Sequence, residues 1–495
     1  MLLAKSSIVE VIGFTSVMVT AAVTRLWNLG YPSKLVFDET YYVKDALTLS
    51  IEGHEKSWPE GADVAFQSGD VFGYLGDAAF VVHPPLGKWL IASGMWLTGP
   101  DQASGWRLST AIFGIATVAL LMLVAFKLFR SVAMSILAGF FLAIDGLAIT
   151  LSRTALLDAS LTFFLLLGFW LFLIDQERSR LRISRAIEES KNSILWFRPW
   201  LILTGVALGA ASAIKWSGFY LLAGIGLYIV ISESLLRRNS GEHHWLRQGV
   251  LFQGSYSFVS LVPAALATYL LTWSGWKFGT GGYLRNWATE NPPTGIFGLM
   301  PDWMISLWNY HDLIYGFHVN LTQEHPYEAS ALGWLVGLRP TAFFYESYPF
   351  GSNGCQIAEG CSSAITALGN PFIWIGSTAA LVYIIYRFAR HRERVLGLVL
   401  IGTASLYLPW IVLSDRTVFQ FYVVSFQPWL ILGLVLLIQQ LRRRLLLKSK
   451  TLANATTIGF VSMVFGAFLF FVPVNTGMYL PFELWQLRMW LPSWV

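Results

Sequence analysis

The chain has 495 residues, 55% hydrophobic and only 13% charged. Soluble domains carry about 25% charged residues, so this share, together with 22 Trp, 35 Phe and 19 Tyr, excludes an ordinary soluble enzyme and a disordered chain alike. The mean hydropathy of +0.55 agrees, the net charge of +5 follows from topology rather than from nucleic-acid binding, and two Cys cannot build a disulfide scaffold or a Cys-rich metal site.

Apolar runs long enough to cross a bilayer at 1.5 Å rise per residue follow in order. The first, 8–27, lacks a small-residue cleavage site and reads as a signal anchor. A long polar segment, about 28–105, comes next, with short helices expected over Thr40–Ser50 and Leu86–Leu97. Six runs follow: 106–126, 132–150, 157–174, 199–213, 217–232 and 251–272. The fifth and sixth spans are separated only by Ile214, Lys215 and Trp216. A second long segment, 273–370, is rich in Trp, Tyr, Pro and Gly, which suits a surface against lipid headgroups. The last runs are 371–386, 395–413, 420–438 and 453–473. The expected fold is an all-α polytopic membrane protein of about eleven transmembrane helices, with two large outer loops containing short helices. Three parts follow: 1–272 with seven spans and the first loop, 273–370 as the second loop, and 371–495 with four spans and an outer tail.

Orientation comes from charge. With the N-terminus inside, 21 of the 34 basic residues fall in inner loops, whereas 21 of the 29 acids fall outside. An odd span count then puts the C-terminus outside. Cys355 and Cys361 lie in the second outer segment, where thiols oxidise. A disulfide closing this small turn is expected; the alternative is two buried thiols.

Ionisable groups at membrane depth are costly and point to function. Here they collect at the outer face. Asp38 and Glu39 follow the first span, Asp145, Arg153 and Asp158 sit between the third and fourth, Lys215 follows the fifth, and Asp415 and Arg416 precede the tenth. Cations beside a carboxylate pair suit a lipid-linked phosphate next to an acid–base site. Asp38 reads equally as a general base or as a cap for the helix from Thr40. In His83-Pro84-Pro85-Leu86-Gly87-Lys88, Lys88 sits at a helix start, where it either meets a phosphate or snorkels. Arg153 and Asp158 reach a ligand or pair with one another. Lys215-Trp216 is either part of a site or an interfacial anchor, and Arg416 carries the same two readings. His311, His318 and His325 lack metal-site spacing, so no metal is expected, and Gly87-Lys88 is not a nucleotide-binding loop. Asn320-Leu321-Thr322 is a glycosylation sequon that matters only in a glycosylating compartment.

Taken in order, these motifs resemble the protein O-mannosyltransferases, polyprenyl-phosphate-mannose-dependent enzymes of the GT-C class. The resemblance runs through Phe37-Asp38-Glu39-Thr40, His83 to Lys88, Arg153 to Asp158, Lys215-Trp216, His325-Pro326-Tyr327, Arg339-Pro340, Asp415-Arg416-Thr417, Phe419 to Tyr422 and Arg488-Met489-Trp490. It implies transfer of mannose from a polyprenyl phosphate to Ser or Thr hydroxyls of exported polypeptides, with inversion. The membrane lipids and the export machinery are the implied surroundings, and a divalent metal is left open. The outer loop between spans seven and eight is too short for the MIR module of eukaryotic members, which implies the bacterial branch, in the plasma membrane with an extracytoplasmic active site. On this reading Asp38 is the base, tuned or oriented by Glu39. Arg153, Lys215, Arg416 and Lys88 hold the donor phosphate, and His83, Asp158, His325 and Tyr327 support the site or shape the acceptor groove. Three other readings compete. One is a GT-C enzyme moving aminoarabinose or arabinose to a lipid or glycan. A transporter is disfavoured because no internal repeat is visible and the odd charges share one face. A scaffold would not need charges in every outer turn.

Overall fold

A computed structural model describes residues 8–495; Lys5, counted above among the inner charges, lies outside them. The amino-terminal half runs α1 (Ile8–Leu26), α2 (Glu39–Glu52), α3 (Ala62–Gln67), α4 (Leu86–Thr98), α5 (Ala103–Phe129), α6 (Val132–Ala143), α7 (Gly146–Ser152), α8 (Asp158–Glu188), α9 (Pro199–Ser212), α10 (Ser217–Asn239) and α11 (Gly254–Thr272). The second outer segment holds α12 (Ser274–Phe278), α13 (Trp287–Glu290), α14 (Asp302–Asn320), α15 (Ala331–Trp334), β1 (Ala342–Tyr348) and β2 (Cys361–Thr366). The chain closes with α16 (Pro371–His391), α17 (Arg394–Val412), α18 (Gln427–Leu446), α19 (Lys450–Thr476) and α20 (Phe482–Gln486).

Each expected span coincides with helix. Eight described helices are long and apolar enough to cross a membrane. The expected span 132–150 is instead α6 and α7, bent by 64°. Asp145 makes the bend: its Oδ1 accepts from Ala148 N at 3.2 Å, capping α7, and its Oδ2 accepts from Asn370 N at 3.0 Å and Trp374 Nε1 at 3.1 Å. The fifth span, α9, has 14 residues. The tenth begins as a 3-10 turn over Gln420–Ser425 before α18 starts.

Buried arginines lock the helix ends. The guanidinium of Arg25 on α1 donates to Leu142 O at 3.1 Å and Ala143 O at 3.2 Å, the orphan carbonyls at the end of α6. Arg153, just after α7, returns the favour to α1 by donating to Trp27 O at 2.7 Å and to Thr24, Arg25 and Asn28 carbonyls. On the expected inner side, Arg198 is not a free loop charge. It is buried and paired with Asp175 of α8 and Glu233 of α10.

The short helices expected in the first outer segment are α2 and α4. The second outer segment adds an element that the sequence reading did not include, an antiparallel pairing of β1 with β2. Cys355 and Cys361 are joined beside it, with Cα atoms 5.9 Å apart.

Candidate functional site

One cavity of about 1080 Å³ opens between the 28–105 segment, α14, the first turns of α8 and α10 and the last turn of α17. Asp38, Asp158, Lys215 and Arg416 share its wall, although they lie far apart in the chain. Asp38 is placed by its neighbour. Phe37 has φ of +49°, a conformation costly for a bulky residue and most often held at functional positions. It is held by packing: its ring stacks on Phe343 at 4.7 Å and meets His325, Phe419 and Phe421 edge-on.

The cap reading of Asp38 does not hold. Asp38 stands at the start of α2, but its side chain makes no cap hydrogen bond. It faces the cavity instead. Burial pushes this carboxyl up to about 6, with Lys215 pulling down and Asp158 pushing up.

Glu39 points the other way. It is fully buried and receives Arg107 through Nε and Nη2, both at 2.7 Å, together with Ala155 N at 2.7 Å and Val36 N at 3.0 Å. All its acceptor capacity is committed to the protein, which leaves none for a ligand. Desolvation, rather than the neighbouring Glu39, dominates the rise of Asp38. Arg107, which the sequence reading missed, also donates to Pro32 O and Lys34 O, both at 2.9 Å. Its signal was an Arg within an apolar run near the outer face, against the positive-inside bias.

The cations separate into two groups. Lys215 Nζ lies 2.9 and 2.8 Å from the two oxygens of Asp158 and 5.3 Å from the Tyr422 ring centre. Arg416 lies over Trp410 at 5.5 Å, and its Nε is buried without a hydrogen-bond partner. These two face the cavity. Arg153 does not: it caps α1, and its expected role on a phosphate is corrected, as is its alternative pairing with Asp158. Lys88 lines the cavity but is buried against Glu55, so its charge is already matched. At the N-terminus of α4, Leu86 N already donates to Ala213 O at 3.0 Å.

His83 lines the cavity with its ring 5.3 Å from that of His318. His318 Nε2 bonds Val82 O at 2.9 Å. Burial and the surrounding cations lower both imidazoles, His318 to about 4, so both are neutral at pH 7. His325 and Tyr327 do not line the cavity. Tyr327 N donates to His325 Nδ1 at 3.1 Å, and His325 packs on Phe37 and Phe419. They form the wall behind the Asp38 turn rather than an acceptor groove. Among the described residues, no three His, Cys, Asp or Glu side chains converge as a metal site.

Two family profiles match this chain. "Dolichyl-phosphate-mannose-protein mannosyltransferase" covers residues 73–276, and "C-terminal four TMM region of protein-O-mannosyltransferase" covers 304–494. The polyprenol-phosphate-mannose–protein mannosyltransferase of Mycolicibacterium smegmatis is 31% identical over 96% of this chain and 91% of its own length. The protein of the same name from Corynebacterium glutamicum is 29% identical over 97% and 92%. Protein O-mannosyl-transferase 1 of Mus musculus matches only 50% of this chain and 31% of its own length, at 29% identity. In fold, the chain is similar to the Saccharomyces cerevisiae protein O-mannosyltransferase Pmt1-Pmt2 complex bound to the sugar donor. The TM-score is 0.71 at 16% identity, over 99% of this chain and 93% of that one.

Proposed function

We propose, for a chain that belongs to the protein O-mannosyltransferase family, that it transfers mannose from a polyprenyl phosphate to Ser or Thr hydroxyls of polypeptides. The observation that carries this reading is one cavity shared by the Asp38 carboxylate and the Arg416 guanidinium, neither hydrogen-bonded among the described residues, and the Asp158-held Lys215.

The steps follow from these groups. The acceptor hydroxyl gives its proton to Asp38 as its oxygen bonds to the anomeric carbon. The bond from that carbon to the phosphate oxygen breaks, and the polyprenyl phosphate departs with the electron pair. Negative charge grows on the phosphate, where Arg416 and Lys215 stabilise it. One displacement inverts the anomeric centre. Asp158 holds Lys215 in place, and Glu39 with Arg107 holds the turn that carries Asp38. The carrier chain lies along the apolar side of the cavity, which Tyr315, Phe317, Val412 and Leu413 help to line.

The active face is extracytoplasmic and the N-terminus cytoplasmic, supported by the excess of Lys and Arg in the alternate short loops. A reporter fused after Val495 should be exported, and a cytoplasmic one would reverse this orientation. The decisive assay uses the full chain in lipid nanodiscs with mannosyl-phosphoryl-polyprenol and a Ser/Thr peptide. Mannosylated peptide and free polyprenyl phosphate are expected in equal amounts. Donor hydrolysis without glycopeptide would overturn the reading.

A further inference from the structure

The polar end of the cavity contains a carboxylate that the steps above do not use. Asp45 lies seven residues after Asp38, so both fall on one face of α2, about 10 Å apart along the axis at 1.5 Å per residue. Both line the cavity, and Tyr42 lies between them. The Asp45 carboxyl has no hydrogen-bond partner among the described residues. Around it every lysine is engaged: Lys88 by Glu55, Lys44 by Asp63 at 2.6 Å, and Lys56 by Gly76 O at 2.7 Å. Trp58 closes this end, and its indole N–H is buried without a partner.

Such a pocket is unsuited to a phosphate, because its open group is an acid and two of its three lysines are already paired with carboxylates. It suits a neutral polyol. Hydroxyls donate to a carboxylate, and each also accepts. Lys88 uses one of its three N–H donors on Glu55 and keeps others. An indole beside them offers a flat apolar wall and one more donor. The phosphate end of the same cavity, with Arg416 and Lys215, lies apart from it. Resting on the glycosyl-transfer reading above, we propose that Asp45, with Lys88 and Trp58, binds the hydroxyls of the transferred sugar and sets which sugar is accepted. Burial and Glu55 push the Asp45 carboxyl up to about 7, against the pull of Lys88 and Lys44. Near neutral pH it therefore both accepts from and donates to hydroxyls.

The test uses the full-length wild type, Asp45→Ala and Asp45→Asn in nanodiscs, with polyprenyl-phosphate-mannose, its monodeoxy analogues and polyprenyl-phosphate-glucose. For Asp45→Ala, kcat/KM with the mannose donor should fall about 10- to 150-fold, the worth of a hydrogen bond to a charged group. Asp45→Asn should recover part of it. With at least one monodeoxy donor, the Asp45→Ala loss should vanish, because the partner hydroxyl is already missing. Inhibition by bare polyprenyl phosphate and the KM for peptide should stay as in the wild type. Three results would overturn the proposal: a raised peptide KM alone, which would make this end the acceptor groove; equal loss with every deoxy donor; or weaker binding of bare polyprenyl phosphate. If the wild type instead prefers the glucose donor, the mannose reading fails. The Asp45 proposal then stands or falls on the same comparison with deoxyglucose donors.

Discussion

Replacing Asp38 with Asn separates chemistry from architecture. The substitution keeps size and removes basicity. A positioned general base contributes about 10²- to 10⁴-fold, so transfer should fall by that factor. Stability should move the other way. The folded carboxyl is raised from 3.8 to about 6, so the folded state binds this proton more tightly than the unfolded chain. Stability is therefore lost as pH rises from about 4 through about 6. At 1.36 kcal/mol per pK unit the ionised group costs the fold up to about 3 kcal/mol. The Asn variant escapes that cost, and no cap bond is lost because Asp38 makes none. Above about pH 6 its thermal midpoint in detergent should equal or exceed that of the wild type. The gap should close as pH falls towards 4. In the same transfer assay, wild-type kcat/KM should rise about tenfold per pH unit below about 6 and then level off. An Asn variant within a few-fold of wild-type activity, or one that unfolds earlier at neutral pH, would refute the reasoning.

Other expectations follow from the way the charges are partnered. Arg416→Ala should lower kcat/KM for the donor about 10- to 150-fold. Lys at this position should recover only part, having lost the planar fork, and unchanged donor kinetics in a folded Ala variant would remove Arg416 from the phosphate. Arg153→Ala should lower the thermal midpoint by uncapping α1 while the surviving folded enzyme keeps its donor KM. A donor defect without loss of stability would return Arg153 to the site. Glu39→Gln should cost about 3–5 kcal/mol, because it leaves Arg107 buried without its counter-charge; an unfolding midpoint equal to wild type contradicts this. Cys355 and Cys361 should resist alkylation until reduced, and labelling of both in the folded, unreduced protein would argue against the pairing.

The spans were legible because apolar runs and the sign of the loops between them report the bilayer directly. The bend at Asp145 was not. An apolar run reads the same straight or folded back, and the partners that stabilise the bend, Asn370 and Trp374, lie more than 220 residues away. The pairing of β1 with β2 was hidden for a different reason: Cys361 to Thr366 is buried along its whole length, so no alternation marks it. In the site, Asp38, Lys215 and Arg416 were legible as charges where charges are costly. Arg153 satisfied the same criterion for another reason, because its partners are backbone carbonyls at the end of α1, which no side-chain pattern announces. Asp45 went unremarked because an acid inside a polar loop is ordinary until a cavity wall is seen beside it.

The cavity draws its proposed base from residue 38, its counter-ion pair from 158 and 215, and the guanidinium proposed for the phosphate from 416. During synthesis at about 5–20 residues per second, the interval between the first and last of these is about 20–75 s. Throughout that time the nascent chain holds a base but lacks the guanidinium that would receive the leaving group. A chain stalled anywhere before residue 416 therefore lacks one of the two cations that this reading sets on the leaving phosphate, and should use the donor at least about 10-fold less well than the finished enzyme.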